Sequence, residues 1–142
     1  MLLTIGYERR PVEDLVATLL AAGARTVADV RLTPSSRKPG YSRRRLSEAL
    51  PAAGLRYVHL PALGNPRDNR AAFHAGRPEA LERFHAQLAT PVAAEALRSV
   101  LLLAAEGPVA LLCLEHEPDR CHRRLIAEHL HALDPALGVE HL

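Results

Sequence analysis

The run Val109-Ala110-Leu111-Leu112-Cys113-Leu114 is apolar at all six positions. Strands with one exposed face alternate polar and apolar residues, whereas strands covered on both faces are apolar throughout. We therefore predict a buried strand here. The polar turn Glu115–Pro118 follows it, and an amphipathic helix begins beyond the turn, with Asp119 as its expected N-cap. A buried strand that leads into a helix is typical of α/β domains.

Strands and helices alternate through much of the remaining chain. Apolar residues at helical spacing run from Pro11 to Gly23, and a second helix follows its expected N-cap, Ser42, and ends near Gly54. The other predicted strands lie at Leu2–Tyr7, Thr26–Arg31, Leu55–Leu60 and Val139–Leu142. This order favours a parallel sheet, because parallel neighbours are usually joined by helical crossovers.

The region after the third strand differs in composition. Residues 61–77 are rich in Pro, Gly, Asn and Arg and hold few bulky apolar side chains, which predicts a long ordered loop. Two helices are predicted at Pro78–Ala89 and Pro91–Glu106, the second with Thr90 as its N-cap. A single kinked helix is the alternative.

These patterns assign the chain to the α/β class as a single domain over residues 1–142. The predicted architecture has three layers, with a mostly parallel sheet flanked by helices on both faces. A chain of this length buries one core and is too short for two. Ligands bind such sheets at the carboxyl ends of the strands, so residues that follow the strands are the candidates for function.

The composition is that of a globular protein, with 48% hydrophobic and 24% charged residues. No apolar stretch reaches the roughly 18 to 20 residues that a membrane-spanning helix requires, and the first residues do not resemble a signal peptide. We therefore expect a cytoplasmic protein with no membrane partner. In that reducing compartment the two cysteines are expected to be thiols, unless they form a redox pair or bind a metal.

The net charge of +2 is unevenly distributed along the chain. Residues 1–77 hold thirteen basic and six acidic residues, whereas residues 78–142 hold five basic and ten acidic residues. A basic first half favours an anionic partner, such as a nucleotide or nucleic acid.

The segment from Arg31 to Arg45 holds six of the basic residues. Arg31 and Arg37 are expected near the end of the second strand, where their forked donors suit a phosphate group. Tyr41 offers an aromatic ring for stacking on a base. The alternative for Arg43–Arg45 is that they form only the solvated face of a helix.

Two thiols lie on either side of the turn after the apolar run. Cys113 ends the strand, and Cys121 is expected in the first helical turn, beside Arg120, His122 and Arg123. A helix N-terminus and nearby cations stabilise a thiolate, so Cys121 is the candidate for a lowered pKa and Cys113 is expected to be the more buried. The alternative is that both are inert core residues.

Three kinds of thiol chemistry fit parts of this turn. Zinc prefers thiolate and imidazole ligands, but seven residues separate Cys113 from Cys121, unlike the spacing in zinc fingers and ribbons. A cysteine phosphatase needs a thiolate and an arginine around a phosphate loop, and a rhodanese-like transferase needs a similar loop. Here the loop carries three acidic residues that repel anions. We predict no metal and no cofactor.

Other polar residues fall at the predicted strand ends. Asp29 lies within an apolar strand and should be paired, most simply with Arg31. His59 follows the third strand and His122 the fourth, and both can act as general acids or bases near neutral pH.

Four motifs in this order resemble the bacterial domain-of-unknown-function 488 family. They are Thr4-Ile5-Gly6-Tyr7; Val27-Ala28-Asp29-Val30-Arg31 with Pro34-Ser35-Ser36-Arg37; Tyr57–Leu60 with Leu63-Gly64; and Cys113–Arg123. The resemblance implies a small α/β domain whose polar residues gather around the first two strand ends and the Cys-His-Arg turn, and it implies no reaction. Asn65 and Leu114 depart from the family pattern.

Two functions are consistent with these residues. The first is an enzyme or enzyme-like domain that acts on an anionic substrate. Its catalytic candidates are Cys113, Glu115, His122 and Cys121, and its substrate-binding candidates are Tyr7, Asp29, Arg31, Arg37, Tyr41, His59 and Arg123. The second is a noncatalytic nucleic-acid-binding domain that uses the basic first half, including Tyr41 and Arg43–Arg45.

Overall fold

The computed structural model describes all 142 residues, and its five strands form one parallel sheet. The strands are β1 (Leu2–Gly6), β2 (Thr26–Asp29), β3 (Arg56–His59), β4 (Val109–Cys113) and β5 (Val139–His141). Their order across the sheet is β3-β2-β4-β1-β5, and every neighbouring pair is parallel. The carboxyl ends of all five strands therefore lie at one edge, as the sequence predicts for a binding site.

Helices cover both faces of the sheet. They are α1 (Val12–Ala21), α2 (Arg43–Ala52), α3 (Arg67–His74), α4 (Pro78–Leu88), α5 (Pro91–Glu106) and α6 (His122–Leu133). Buried residues of α1 and α2 pack in one core, and those of α4, α5 and α6 pack in a second core on the opposite face. The three-layer α/β fold is confirmed.

The central strand β4 shows why the apolar run is informative. All five of its residues are buried, and it pairs with β2 on one side and β1 on the other. Successive side chains point to opposite faces, so Leu111 and Cys113 enter the core with α6, whereas Ala110 and Leu112 enter the core with α1. Cys113 therefore lies under the start of α6.

The prediction of a long loop over residues 61–77 is wrong. This segment contains a 3₁₀ turn at Pro61–Leu63 and the helix α3. Asn69 and Phe73 are the buried residues of α3. The Asn69 side-chain amide donates hydrogen bonds to Asn65 Oδ1 and the Ala80 carbonyl. These bonds allow Asn69 to be buried, although the polar composition of the segment predicts an exposed residue.

The helices α4 and α5 are separate, with Thr90 capping the second through its hydroxyl and the Ala93 amide. No single helix of the chain has the length and apolar composition needed to cross a membrane; α4 and α5 meet these criteria only jointly, as a pair bent by 76°. Ser42 caps α2 as predicted, accepting a hydrogen bond from the Arg45 amide.

Asp119 does not cap α6, contrary to the prediction. It lies in a 3₁₀ turn at Pro118–Arg120, and Cys121 occupies the N-cap position. The Asp119 carboxylate instead accepts a hydrogen bond from Arg124, 2.7 Å away. This extra turn moves the start of α6 to His122.

Candidate functional site

A cleft of about 180 Å³ opens at the carboxyl ends of β1, β2 and β4. Its lining includes five of the predicted site residues, Tyr7, Arg31, Cys113, Glu115 and His122. Arg120, which precedes Cys121 in the chain, also lines it. The helix α3 contributes Arg70 and Phe73. The cleft thus joins residues that are distant in sequence, because the parallel sheet brings their strand ends together.

Asp29 and Arg31 form a buried ion pair under this cleft. Arg31 donates to Asp29 Oδ1 from Nε at 2.8 Å and to Oδ2 from Nη2 at 2.7 Å, and Tyr57 donates its hydroxyl to Oδ2 at 2.6 Å. Burial is the largest single influence and favours the neutral guanidine, but the hydrogen bonds and charge of Asp29, together with Tyr7, outweigh it and raise the pKa of Arg31. Burial and Asp29 also raise the pKa of Tyr57. The predicted pairing of Asp29 with Arg31 is confirmed.

Tyr41 is not available for stacking on a base, contrary to the prediction. It is fully buried and stacks on Tyr7, with ring centroids 4.3 Å apart. Its hydroxyl donates to the Arg10 carbonyl at 2.8 Å, and burial raises the pKa of Tyr41 to about 12. The Tyr41 backbone carbonyl accepts a hydrogen bond from Arg31, so Tyr41 helps to hold the guanidinium of the ion pair in place.

The chemical centre of the cleft is the pair Cys113 and His122. The Cys113 sulfur lies 3.7 Å from His122 Nδ1, and His122 Nε2 lies 2.8 Å from the Val30 carbonyl. A carbonyl only accepts hydrogen bonds, so Nε2 carries a proton, and in the neutral imidazole Nδ1 presents a lone pair to the thiol. His122 is held in this orientation by an edge contact with Phe84, 5.3 Å between ring centroids. Cys113 is therefore next to a positioned base.

Charge and burial act on His122 in opposite directions. Burial lowers the pKa of His122, whereas its contacts with Cys121, the Val30 carbonyl and Glu115 raise it by more. The net effect is a raised pKa, which strengthens Nδ1 as a proton acceptor. Glu115 is also close to the thiol, because its Oε2 lies 3.7 Å from the Cys113 sulfur.

Cys121 differs from the prediction in two ways. It is 2% exposed against 5% for Cys113, so it is the more buried of the two. Burial, together with the neighbouring Cys113, raises the pKa of the Cys121 thiol instead of lowering it. The helix N-terminus and nearby arginines do not offset the loss of water around the sulfur. The Cys121 thiol is therefore harder to deprotonate than an ordinary cysteine.

This contrast between the thiols predicts selective modification. At pH 7 to 8, an alkylating reagent should modify Cys113 while Cys121 remains unmodified, because only thiolate reacts and the raised pKa keeps Cys121 protonated. Cys121 should react only at a pH above the ordinary cysteine pKa of about 8.5, or when the protein unfolds. Peptide mass spectrometry after timed alkylation measures both rates. In guanidinium the two thiols should react alike, and equal rates in the folded protein would contradict the assignment.

Arg123 does not line the cleft, so the prediction that it binds substrate is wrong. It is fully buried and donates hydrogen bonds to the carbonyls of Glu115 and His116. Its Nε has no partner. The guanidinium thus holds the turn that follows β4, and through that turn it positions Glu115.

Two further candidates stay outside the cleft. Arg37 is exposed and makes no ion pair, and His59 donates from Nε2 to the Arg31 carbonyl at 2.8 Å. Arg43–Arg45 are exposed along α2, which fits the alternative of a solvated helix face. The structure brings together Tyr7, Arg31, Cys113, Glu115 and His122, with Cys121 directly behind them.

Sequence reasoning missed Arg70 and Arg120 as binding residues. Both are exposed, both line the cleft, and neither pairs with a carboxylate. Arg70 bonds only the Asn65 carbonyl, at 3.3 Å. Arg120 could have been predicted as a binding residue because it is adjacent to Cys121 in the sequence. Arg70 could not, because its segment was predicted to be a loop and not the helix α3. These two guanidiniums are the free cations of the site.

Comparison with known proteins gives one positive result. A family model described as Domain of unknown function DUF488 matches residues 11–130. No curated protein and no solved structure matches the chain significantly. The match includes α1 to α5 and most of α6, together with the turn that carries Cys113, Cys121 and His122. The chain therefore belongs to the DUF488 family of domains of unknown function.

Proposed function

We propose that this chain is a thiol-dependent enzyme that acts on a small substrate carrying an anionic group. The observation that supports the proposal is the Cys113 sulfur, 3.7 Å from Nδ1 of His122, in a cleft with two unpaired arginines. An inert core cysteine has no need of a positioned base or of an opening towards cations.

The proposed chemistry is nucleophilic substitution by sulfur. The Cys113 proton passes to His122 Nδ1, and a sulfur lone pair forms a bond to the electrophilic atom of the substrate. The bond to the leaving group breaks, and the leaving group departs with that electron pair. The imidazolium, stabilised by the Val30 carbonyl, then returns the proton to the leaving group.

The anionic group is proposed from charge and size. Arg70 and Arg120 have no carboxylate partners, whereas Arg31 is committed to Asp29. Ligand pockets for drug-sized molecules usually measure about 300 to 1,000 Å³. A cleft of about 180 Å³ suits a single phosphate, sulfate or carboxylate group with its neighbouring atoms. We also place the protein in a reducing compartment such as the cytoplasm, which keeps Cys113 as a thiol.

A pair of alkylating reagents, one anionic and one neutral, tests this proposal. Iodoacetate and iodoacetamide deliver the same carbon to sulfur and release iodide, but only iodoacetate is an anion. The ratio of their rates at Cys113, measured by peptide mass spectrometry in the presence of chelator, reports anion binding. Arg70→Ala and Arg120→Ala should each lower that ratio by about 1.5- to 5-fold, the effect of one solvent-exposed charge interaction.

The matched control is Arg98→Ala, which removes an exposed arginine of α5 that does not line the cleft. Its ratio should equal that of the parent protein. Higher salt should also reduce the ratio in the parent, because exposed charges are screened. If the ratio is the same in all three arginine variants, Cys113 is not part of an anion site and the proposal fails.

A further inference from the structure

Three soft ligand atoms converge beneath the cleft. The sulfurs of Cys113 and Cys121 and the Nδ1 atom of His122 all lie within 4.8 Å of one another, and all three residues are buried. We infer that they bind one Zn²⁺ ion as its three protein ligands, with the fourth coordination position open to a solvent molecule or a substrate. This inference uses residues of the proposed enzyme site, but the metal site does not require the proposed reaction.

The distances fit tetrahedral coordination. Zinc bonds of about 2.3 Å to sulfur and 2.0 to 2.1 Å to nitrogen, arranged tetrahedrally, place neighbouring ligand atoms about 3.5 to 3.8 Å apart. His122 Nδ1 lies 3.7 Å from the Cys113 sulfur and 3.8 Å from the Cys121 sulfur. Both sulfur-to-nitrogen distances are thus already at tetrahedral spacing, and the two sulfurs lie within 4.8 Å of each other.

The surroundings of the ligands support the same assignment. The Val30 carbonyl accepts from His122 Nε2, which directs the Nδ1 lone pair towards the sulfurs; metal-bound histidines usually have such an outer partner. Glu115 Oε2 lies 3.7 Å from the Cys113 sulfur, on the side of the cleft. Three protein ligands with an open fourth position are typical of catalytic zinc sites, and the Glu115 carboxylate lies at the edge of this one.

Sequence spacing argued against zinc because seven residues separate the cysteines. That argument applies to ligands placed along one local loop. Here the ligands come from the end of β4 and the start of α6, and the 3₁₀ turn at Pro118–Arg120 returns the chain to bring them together.

Zinc binding and alkylation should exclude each other. On binding, both thiols lose a proton to solvent and each sulfur donates an electron pair to Zn²⁺, which lowers the negative charge on sulfur and its reactivity towards an electrophile. Zinc-loaded protein should therefore be protected at Cys113, and a chelator should restore its reactivity.

The test is a titration of the full-length, reduced and chelator-treated protein with Zn²⁺ in competition with a colorimetric chelator. We expect one tight equivalent. Co²⁺ should replace it and show a sulfur-to-cobalt charge-transfer band. Cys113→Ser, Cys121→Ser and His122→Gln should each weaken zinc binding by at least about tenfold, since loss of an outer partner alone costs about 10- to 100-fold.

A second histidine pair provides the control. His85 Nδ1 lies 2.9 Å from His129 Nε2 on the surface, a possible source of adventitious zinc binding. His85→Gln should retain the tight equivalent and the charge-transfer band. Circular dichroism checks that each variant is folded, and the two serine variants, which keep the side-chain size, decide the result if His122→Gln unfolds.

Two outcomes would overturn the inference. One is the absence of tight binding in the parent protein. The other is binding that is lost in His85→Gln and kept in both serine variants. Either result leaves the rate ratio of iodoacetate to iodoacetamide untouched, because that ratio is measured with chelator present. Conversely, an unchanged ratio in the arginine variants would reject the proposed reaction while leaving the zinc stoichiometry intact.

Discussion

Asp29→Asn is expected to lower the free energy of unfolding by about 3 to 5 kcal/mol, the usual loss when one partner of a buried ion pair is removed. Asp29 is fully buried and accepts two hydrogen bonds from Arg31 and one from Tyr57. Asparagine keeps the shape of the side chain but leaves the 7% exposed guanidinium of Arg31 without a counterion. Urea unfolding monitored by circular dichroism measures the loss.

A double-mutant cycle measures the interaction energy between Asp29 and Arg31 separately from their other contacts. Arg31→Met should also destabilise, but the double variant Asp29→Asn with Arg31→Met should lose less than the sum of the single losses, because no charge is then buried alone. Glu48→Gln is the control, since its pair with Arg44 is solvent-exposed at 3.6 Å and should change stability by no more than about 0.5 kcal/mol. Additive losses would show that the two side chains are not coupled.

Gly6→Ala should destabilise the protein by about 3 kcal/mol or more, above the usual range for one added methyl group. A Cβ at Gly6 would overlap the Glu115 carbonyl, and the His116 amide nitrogen would lie only 3.0 Å away. The obstructing atoms are backbone, and hydrogen bonds from Tyr7 to Cys113 and from Glu8 to Leu114 hold that backbone in place. Relief requires the turn to move.

The site should change together with the stability. The displaced turn carries Glu115 and lies directly after Cys113, so the alkylation rate of Cys113 in Gly6→Ala should differ from that of the parent even where the variant remains folded. Gly23→Ala is the matched control. Gly23 has a positive φ of 75° but no atom within 4 Å of the added carbon, so only conformational strain of about 1 to 2 kcal/mol applies and Cys113 should be unaffected. Equal losses in the two variants would contradict the steric argument.

Much of the fold could be predicted because its signals are local. The uninterrupted apolar run of β4 requires cover on both faces, and it lies buried at the centre of the sheet. Ser42 and Thr90 cap helices because a hydroxyl reaches an amide three residues away. The helix α3 was missed because its buried Asn69 looks like a loop residue until the Ala80 carbonyl of the next helix accepts its hydrogen bond.

The candidate site also has a part that local sequence signals predict and a part that they do not. Residue type and strand position alone predicted that Cys113, Glu115 and His122 belong to one rim and that Asp29 pairs with Arg31, two residues away. Burial decided the rest. Tyr41, Cys121 and Arg123 are polar or reactive in sequence, yet each lies in the interior, where its partners are set by packing.

The α/β architecture and the strand ends that carry reactive side chains could be predicted because hydrophobic periodicity and helix capping act between residues close together in the chain. Which of those side chains face the cleft, and which ring nitrogen of His122 carries a proton, depend on contacts between distant parts of the chain. That proton is directed by the Val30 carbonyl, 92 residues away in the chain. Solvation and hydrogen bonding depend on atoms that meet only when the sheet has formed, so no local pattern encodes them.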